Sequence, residues 1–96
     1  MEIIEAEDGD VAMQKIDAQP PDLIFMDIKL PGENGLELTG KIKTKYPKVI
    51  VIILTSYDTP EYREAAAQAK ANHFLSKGSS SKESILSLVE SILAGH

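Results

Sequence analysis

Cysteine and tryptophan are both absent from this sequence, and only 5% of its residues are aromatic. Without cysteine there is no disulfide, no thiolate nucleophile and no Cys-type zinc site, which fits a reducing compartment. Long hydrophobic runs are missing too. The longest unbroken apolar stretch, Val49-Ile50-Val51-Ile52-Ile53-Leu54, falls far short of the roughly 20 residues that a membrane-spanning helix requires. Met1 is followed directly by Glu2, with no basic segment, apolar segment or small-residue cleavage site of a secretory signal. A cytoplasmic protein without membrane association is expected. Positive charge is scarce: ten Lys and Arg against fifteen Asp and Glu give a net charge of −5. That sign repels phosphate backbones, so direct nucleic-acid binding by this chain is not expected. What is present is one small domain of 96 residues, 43% hydrophobic and 26% charged, with no internal repeat and no linker.

The periods of regular structure alternate. Ile3-Ile4 begins a short strand that stops at Glu7-Asp8-Gly9-Asp10, after which Val11, Ala12, Met13 and Ile16 recur at helical spacing until Gln19-Pro20-Pro21. Leu23-Ile24-Phe25-Met26 is a continuous apolar run, the pattern of a strand buried on both faces, and it ends on Asp27. A turn through Pro31-Gly32 leads to Asn34-Gly35-Leu36-Glu37, an Asn cap with Glu three residues on, opening a helix to about Lys45. Residues 49–54 form the next buried strand, and Thr59-Pro60-Glu61 starts a helix to about Lys70. A strand over residues 72–76 ends on Lys77. The last helix has Ser80 and Glu83 at capping-box spacing, and its apolar stripe is Ile85, Leu86, Leu88, Val89, Ile92 and Leu93. Four strand–helix units with apolar strands imply an α/β fold with a parallel sheet, in which function collects at the carboxyl ends of the strands.

Those ends carry polar groups. Asp27 follows a rigid strand and can present its oxygens to a phosphoryl group as an acyl-phosphate nucleophile, although taken alone a strand-end Asp is more often a turn or cap residue. Lys77 can neutralise a phosphoryl oxygen or pair with Asp27, or simply be a solvated lysine. Thr55 can donate its hydroxyl to the same anion or to nearby backbone. Carboxylate, hydroxyl and ammonium on three successive strand ends form a set able to bind one tetrahedral anion.

The ordered motifs Glu7-Asp8-Gly9 with Ala12 and Ile16, Pro21 through Asp27, Leu30-Pro31-Gly32, Asn34-Gly35, Leu54-Thr55-Ser56 and Phe74-Leu75-Ser76-Lys77 span nearly the whole chain. Through them it resembles the receiver domain of bacterial two-component response regulators. The resemblance implies a flavodoxin-like (CheY-like) three-layer parallel sheet, here cut to four strand–helix units. It further implies that Asp27 is the phosphoacceptor for a sensor histidine kinase. Thr55 would hydrogen-bond the phosphoryl group, Lys77 would ion-pair with it, and Phe74 would be the aromatic switch. Mg²⁺ would sit on Asp27 and on the backbone carbonyl of Lys29. Such a domain is a phosphoacceptor signalling module rather than an enzyme.

The sequence also departs from that pattern. The family begins with a further strand and helix, and that strand ends in an acidic pair that holds Mg²⁺; this sequence starts at what would be the second strand. Residues 1–96 therefore read as an N-terminally incomplete receiver domain with weakened metal binding. Either residues 2–6 pair directly with residues 22–26, or they pair and pack with a second copy, and self-association is expected. Direct pairing would bring Glu7-Asp8 near Asp27 as a substitute acidic pair, although both also suit an ordinary helix start. Lys70 stands where the family commonly has a glycine cap, and Gly78 where it has a proline. Two other readings are a receiver-like interaction module that is not phosphorylated, and a haloacid-dehalogenase-like phosphatase. The second would need an acid two residues after Asp27, where Lys29 stands.

Overall fold

Four β-strands and four α-helices alternate along the chain in the computed structural model, which describes residues 2–30 and 34–95. The turn expected through Pro31-Gly32 lies outside the described residues. The strands are β1 (Ile3–Ala6), β2 (Leu23–Met26), β3 (Ile50–Thr55) and β4 (His73–Ser76), and the helices are α1 (Gly9–Ala18), α2 (Gly35–Lys45), α3 (Pro60–Gln68) and α4 (Lys82–Ala94). All neighbours are parallel, in the order β1-β2-β3-β4, with Ile4 opposite Ile24, Ile24 opposite Val51 and Ile53 opposite Phe74. This is the flavodoxin-like receiver architecture expected from the sequence. Of the two arrangements open to residues 2–6, direct pairing with β2 is the one adopted. The amides of Asp22 and Leu23 donate to the Glu2 carbonyl at 2.9 and 3.3 Å, and the Glu2 amide donates to Asp22 Oδ2 at 2.8 Å.

Because spatial order follows chain order, the right-handed crossovers place α1, α2 and α3 on one face of the sheet. There Ala12, Ile16, Leu38, Ile42 and Ala66 pack on Ile24, Met26, Val51 and Ile53. The opposite face belongs to α4 alone: Val89, with Leu88, Ile92 and Leu93, packs on Leu23, Ile50 and Ile52. One helix covers that face incompletely, so Ile3 and Leu86 remain 43% and 51% exposed. The three layers expected from the sequence are present, but the second helical layer is thin.

Side-chain caps start every helix. Asp8, Asn34 and Thr59 accept from backbone amides at the heads of α1, α2 and α3. At α4 the sequence expectation is off by one residue. Ser81, not Ser80, is the cap, and its Oγ accepts from the Ser84 amide at 3.1 Å. The helix begins at Lys82, so the residue that reaches the free amides is the one directly before it. α3 ends at Gln68 rather than Lys70, because the chain turns through a Schellman closure. The Ala71 amide donates to the Ala66 carbonyl and the Lys70 amide to the Ala67 carbonyl, both at 3.0 Å. Lys70 is thereby held at φ 68°, in the left-handed region that penalises a Cβ. Lys70→Gly is expected to stabilise the fold by about 1 kcal/mol, raising the urea midpoint; an unchanged or lowered midpoint would contradict the strain at this position.

Candidate functional site

The carboxyl ends of β2, β3 and β4 bring Asp27, Thr55 and Lys77 to one rim. Lys77 Nζ reaches across the end of β3 to Asp27 Oδ2 at 2.8 Å. The backbone fixes the reach, since the Lys77 amide donates to the Thr55 carbonyl at 2.8 Å. The pair forms although Gly78, not proline, follows Lys77. Thr55 is fully buried, and its Oγ1 accepts from the Tyr57 amide at 3.1 Å, which leaves the hydroxyl proton available to a further acceptor.

Asp27 feels opposing influences. Partial burial is the largest single one and pushes its pKa up. The Lys77 hydrogen bond, the Lys29 amide on Oδ1 at 3.3 Å, the Lys77 charge and the Thr55 hydroxyl together outweigh it and hold the carboxyl below the ordinary value. The folded pKa thus lies below the unfolded one, so the stabilisation is present at neutral pH and is lost as pH falls through the lowered value. With Lys77 47% and Asp27 27% exposed, an ion pair of this kind contributes only about 0.2–1 kcal/mol. Its significance is positional: the carboxylate is ionised and aimed.

The position of Asp27 depends on Gly35. The Asn34 cap accepts from the Leu36 amide at 2.7 Å, and the Gly35 amide donates to the Ile28 carbonyl at 2.9 Å, drawing the head of α2 against the chain after β2. A Cβ on Gly35 would stand 1.9 Å from the Asp27 carbonyl oxygen. No side chain fits there without moving the Asp27 backbone.

Phe74 lies on β4, half-buried against the three-helix face of the sheet. Sequence reasoning missed its neighbour: the Arg63 guanidinium of α3 stands 4.9 Å from the Phe74 ring centroid and is held by two hydrogen bonds to Asp58. An acid and an arginine five residues apart around a helix start carry no signal that distinguishes them from an ordinary surface pair.

Direct β1–β2 pairing also opens a cavity of about 250 Å³ at the rim, lined among others by Glu5, Glu7, Phe25, Asp27, Lys29 and Lys77. The Lys29 ammonium stands 5.5 Å from the Tyr57 ring centroid. Among the described residues no group of three or more His, Cys, Asp or Glu side chains is placed to hold a metal ion. A hard hydrated cation such as Mg²⁺ uses only one or two carboxylates and completes its shell with carbonyls and water. The Asp27 carboxylate at this rim is a donor of that kind.

Gly35→Ala is expected to lower stability by about 1–3 kcal/mol through the forced shift at Asp27. Gly40→Ala, where a Cβ meets nothing within 4 Å, should stabilise α2 by up to about 1 kcal/mol. Urea unfolding of both variants checks this, and equal effects would contradict the close approach at Gly35.

Comparison with known proteins agrees with this geometry. The family model of the response regulator receiver domain matches residues 1–90. The oxygen regulatory protein NreC of Staphylococcus carnosus is 35% identical over 97 residues, covering 99% of this chain and 44% of its own length. The chain spans less than half the length of the curated relatives it matches first. Among solved structures, a DNA-binding response regulator of the LuxR family from Staphylococcus aureus superposes with a TM-score of 0.81 at 26% identity over 98% of each chain. A Burkholderia pseudomallei response regulator, solved with a phosphorylated aspartic acid, calcium ion and citrate, gives 0.75 at 27% identity over 84% of this chain and 47% of its own. A strand-end carboxylate with an ammonium drawn onto it, on a four-stranded parallel sheet matched along almost its whole length, makes this chain a member of the response regulator receiver domain family.

Proposed function

We propose that this chain is the phosphoacceptor receiver domain of a longer response regulator, with Asp27 taking a phosphoryl group from the phosphohistidine of a sensor histidine kinase. The supporting observation is the ion pair between Lys77 Nζ and Asp27 Oδ2 at 2.8 Å beside the buried Thr55. A free oxygen of ionised Asp27 attacks phosphorus, the P–N bond to imidazole breaks, and the imidazole leaves with a proton, so that an aspartyl phosphate forms. Lys77 already sits on the carboxylate and follows the added negative charge onto the phosphoryl oxygens. The Thr55 hydroxyl, accepting from the Tyr57 amide, donates its own proton to the same group.

Asp27 and the main-chain carbonyl of Lys29 are the proposed Mg²⁺ ligands. When bound, the ion offsets charge between the carboxylate and the incoming phosphoryl anion. Motion of Thr55 toward the phosphoryl group frees space beside Phe74, the proposed switch, whose ring would have to part from Arg63 to occupy it. A surface around α3 and β4 then changes shape for a protein partner. Exchange with a kinase places the domain in the cytoplasm, and the thinly covered face beside α4 is the surface proposed for self-association. The phosphatase reading lacks its acid, because Lys29 occupies that position and turns toward Tyr57.

Incubation with Mg²⁺ and acetyl phosphate, followed by intact mass measurement, tests the proposal. One phosphoryl mass is expected on the wild type and none on Asp27→Asn. A wild type that gains nothing would leave a receiver-like module acting only through its faces.

A further inference from the structure

We infer that α4 pairs with α4 of a second copy of this chain, antiparallel and about a two-fold axis at Leu86, so that Lys82 of each copy meets Glu90 of the other. The inference rests on the reading that the thinly covered face beside α4 is a surface for self-association, and it supplies the residues and the orientation. Val89 turns into the sheet, with Leu88, Ile92 and Leu93 beside it. Leu86 is left on the flank of that contact, 51% exposed, the most exposed large hydrophobic side chain among the described residues.

Lys82, Leu86 and Glu90 recur at every fourth residue and are all exposed, so they form one stripe along α4. Leu86 stands between the two charges, which lie about 12 Å apart along the helix axis and cannot bond each other. Neither charged side chain makes a hydrogen bond or ion pair among the described residues. Each also sits toward the unfavourable end of its helix. Lys82 is the first residue of α4 and Glu90 lies in its carboxyl half, the reverse of the placement that the helix dipole favours. A second α4 running the opposite way offsets both faults. The order lysine, leucine, glutamate on one copy then meets glutamate, leucine, lysine on the other, giving two ion pairs around one leucine contact, repeated by symmetry. A parallel copy would set Lys82 against Lys82 and Glu90 against Glu90, so the charges select the antiparallel orientation. A partner of one charge sign would satisfy one end of the stripe and repel the other. A second copy of this chain satisfies both.

The test is sedimentation equilibrium, at protein concentrations rising to about millimolar, of the wild type, Lys82→Glu, Glu90→Lys, the double reversal, and an equimolar mixture of the two single reversals. Both reversals move charge to where the helix dipole favours it, so α4 stays folded, which far-ultraviolet circular dichroism checks. A reversible wild-type dimer is expected, weakened about tenfold by either single reversal, because two attractive pairs become repulsive. The double reversal restores the dimer to within about threefold of the wild type, and the mixture forms a heterodimer of similar affinity, since opposite charges again face each other. Glu61→Lys on α3, exposed and on the other face of the sheet, changes the net charge as Glu90→Lys does and is expected to leave the dimer at least as tight. A dimer that ignores both reversals, one that the double reversal fails to restore, or an equal loss in Glu61→Lys would overturn the α4 pairing while leaving self-association standing. A wild type that stays monomeric throughout would overturn both.

Discussion

Direct backbone pairing of β1 with β2 is the constraint on which the rest of this structure depends. Strand edges carry unpaired amides and carbonyls, and leaving two of them facing an empty slot inside a sheet would cost a hydrogen bond at every step. The chain avoids this by seating Ile3–Ala6 directly against Leu23–Met26. With that register set, the order of the sheet follows the order of the chain, three helices fall on one face, and α4 is left alone on the other. By the same step Glu5 and Glu7 come to line the cavity at the carboxyl-end rim that Asp27 also lines.

The site shows how small energies give sharp positioning. The ion pair between Lys77 and Asp27 is half-exposed and adds little to stability, yet each partner is held by backbone with little freedom to move. Asp27 is backed by the close approach of Gly35, and Lys77 is tied by its amide to the Thr55 carbonyl. Thr55 is buried but not stranded, because the Tyr57 amide satisfies its oxygen. The carboxylate is kept ionised by an ammonium and an amide against the opposing effect of burial. Those are the conditions a nucleophilic carboxylate requires at neutral pH.

Much of this was legible in the sequence because it is written in local patterns. The apolar runs of β2 and β3 and the caps Asn34 and Thr59 declare themselves residue by residue, and Asp27, Thr55 and Lys77 stand at strand ends where a parallel sheet must expose them. The strained turn at Lys70 was visible as the absence of a glycine. What was not legible is non-local. Whether β1 would pair with β2 or with another chain depends on which surfaces can be covered, and no local motif encodes that. Ser80 and Ser81 are indistinguishable until the first helical residue is known. The contact of Arg63 with Phe74 joins α3 to β4, and no local pattern links those two elements.

The apolar margin of Ile3 and Leu86 beside α4 is the visible consequence of one helix covering a four-stranded sheet. The order of the sheet and the cavity beside Asp27 require that β1 occupies its place within the same molecule. Nuclear Overhauser contacts in a uniformly labelled sample, compared with an isotope-filtered mixture of labelled and unlabelled chains, test that requirement most directly. Contacts between backbone protons of residues 3–6 and 23–26, in the parallel register that sets Ile4 against Ile24 and arising within one chain, are the expected result. Their absence, or their appearance only between labelled and unlabelled chains, would contradict it.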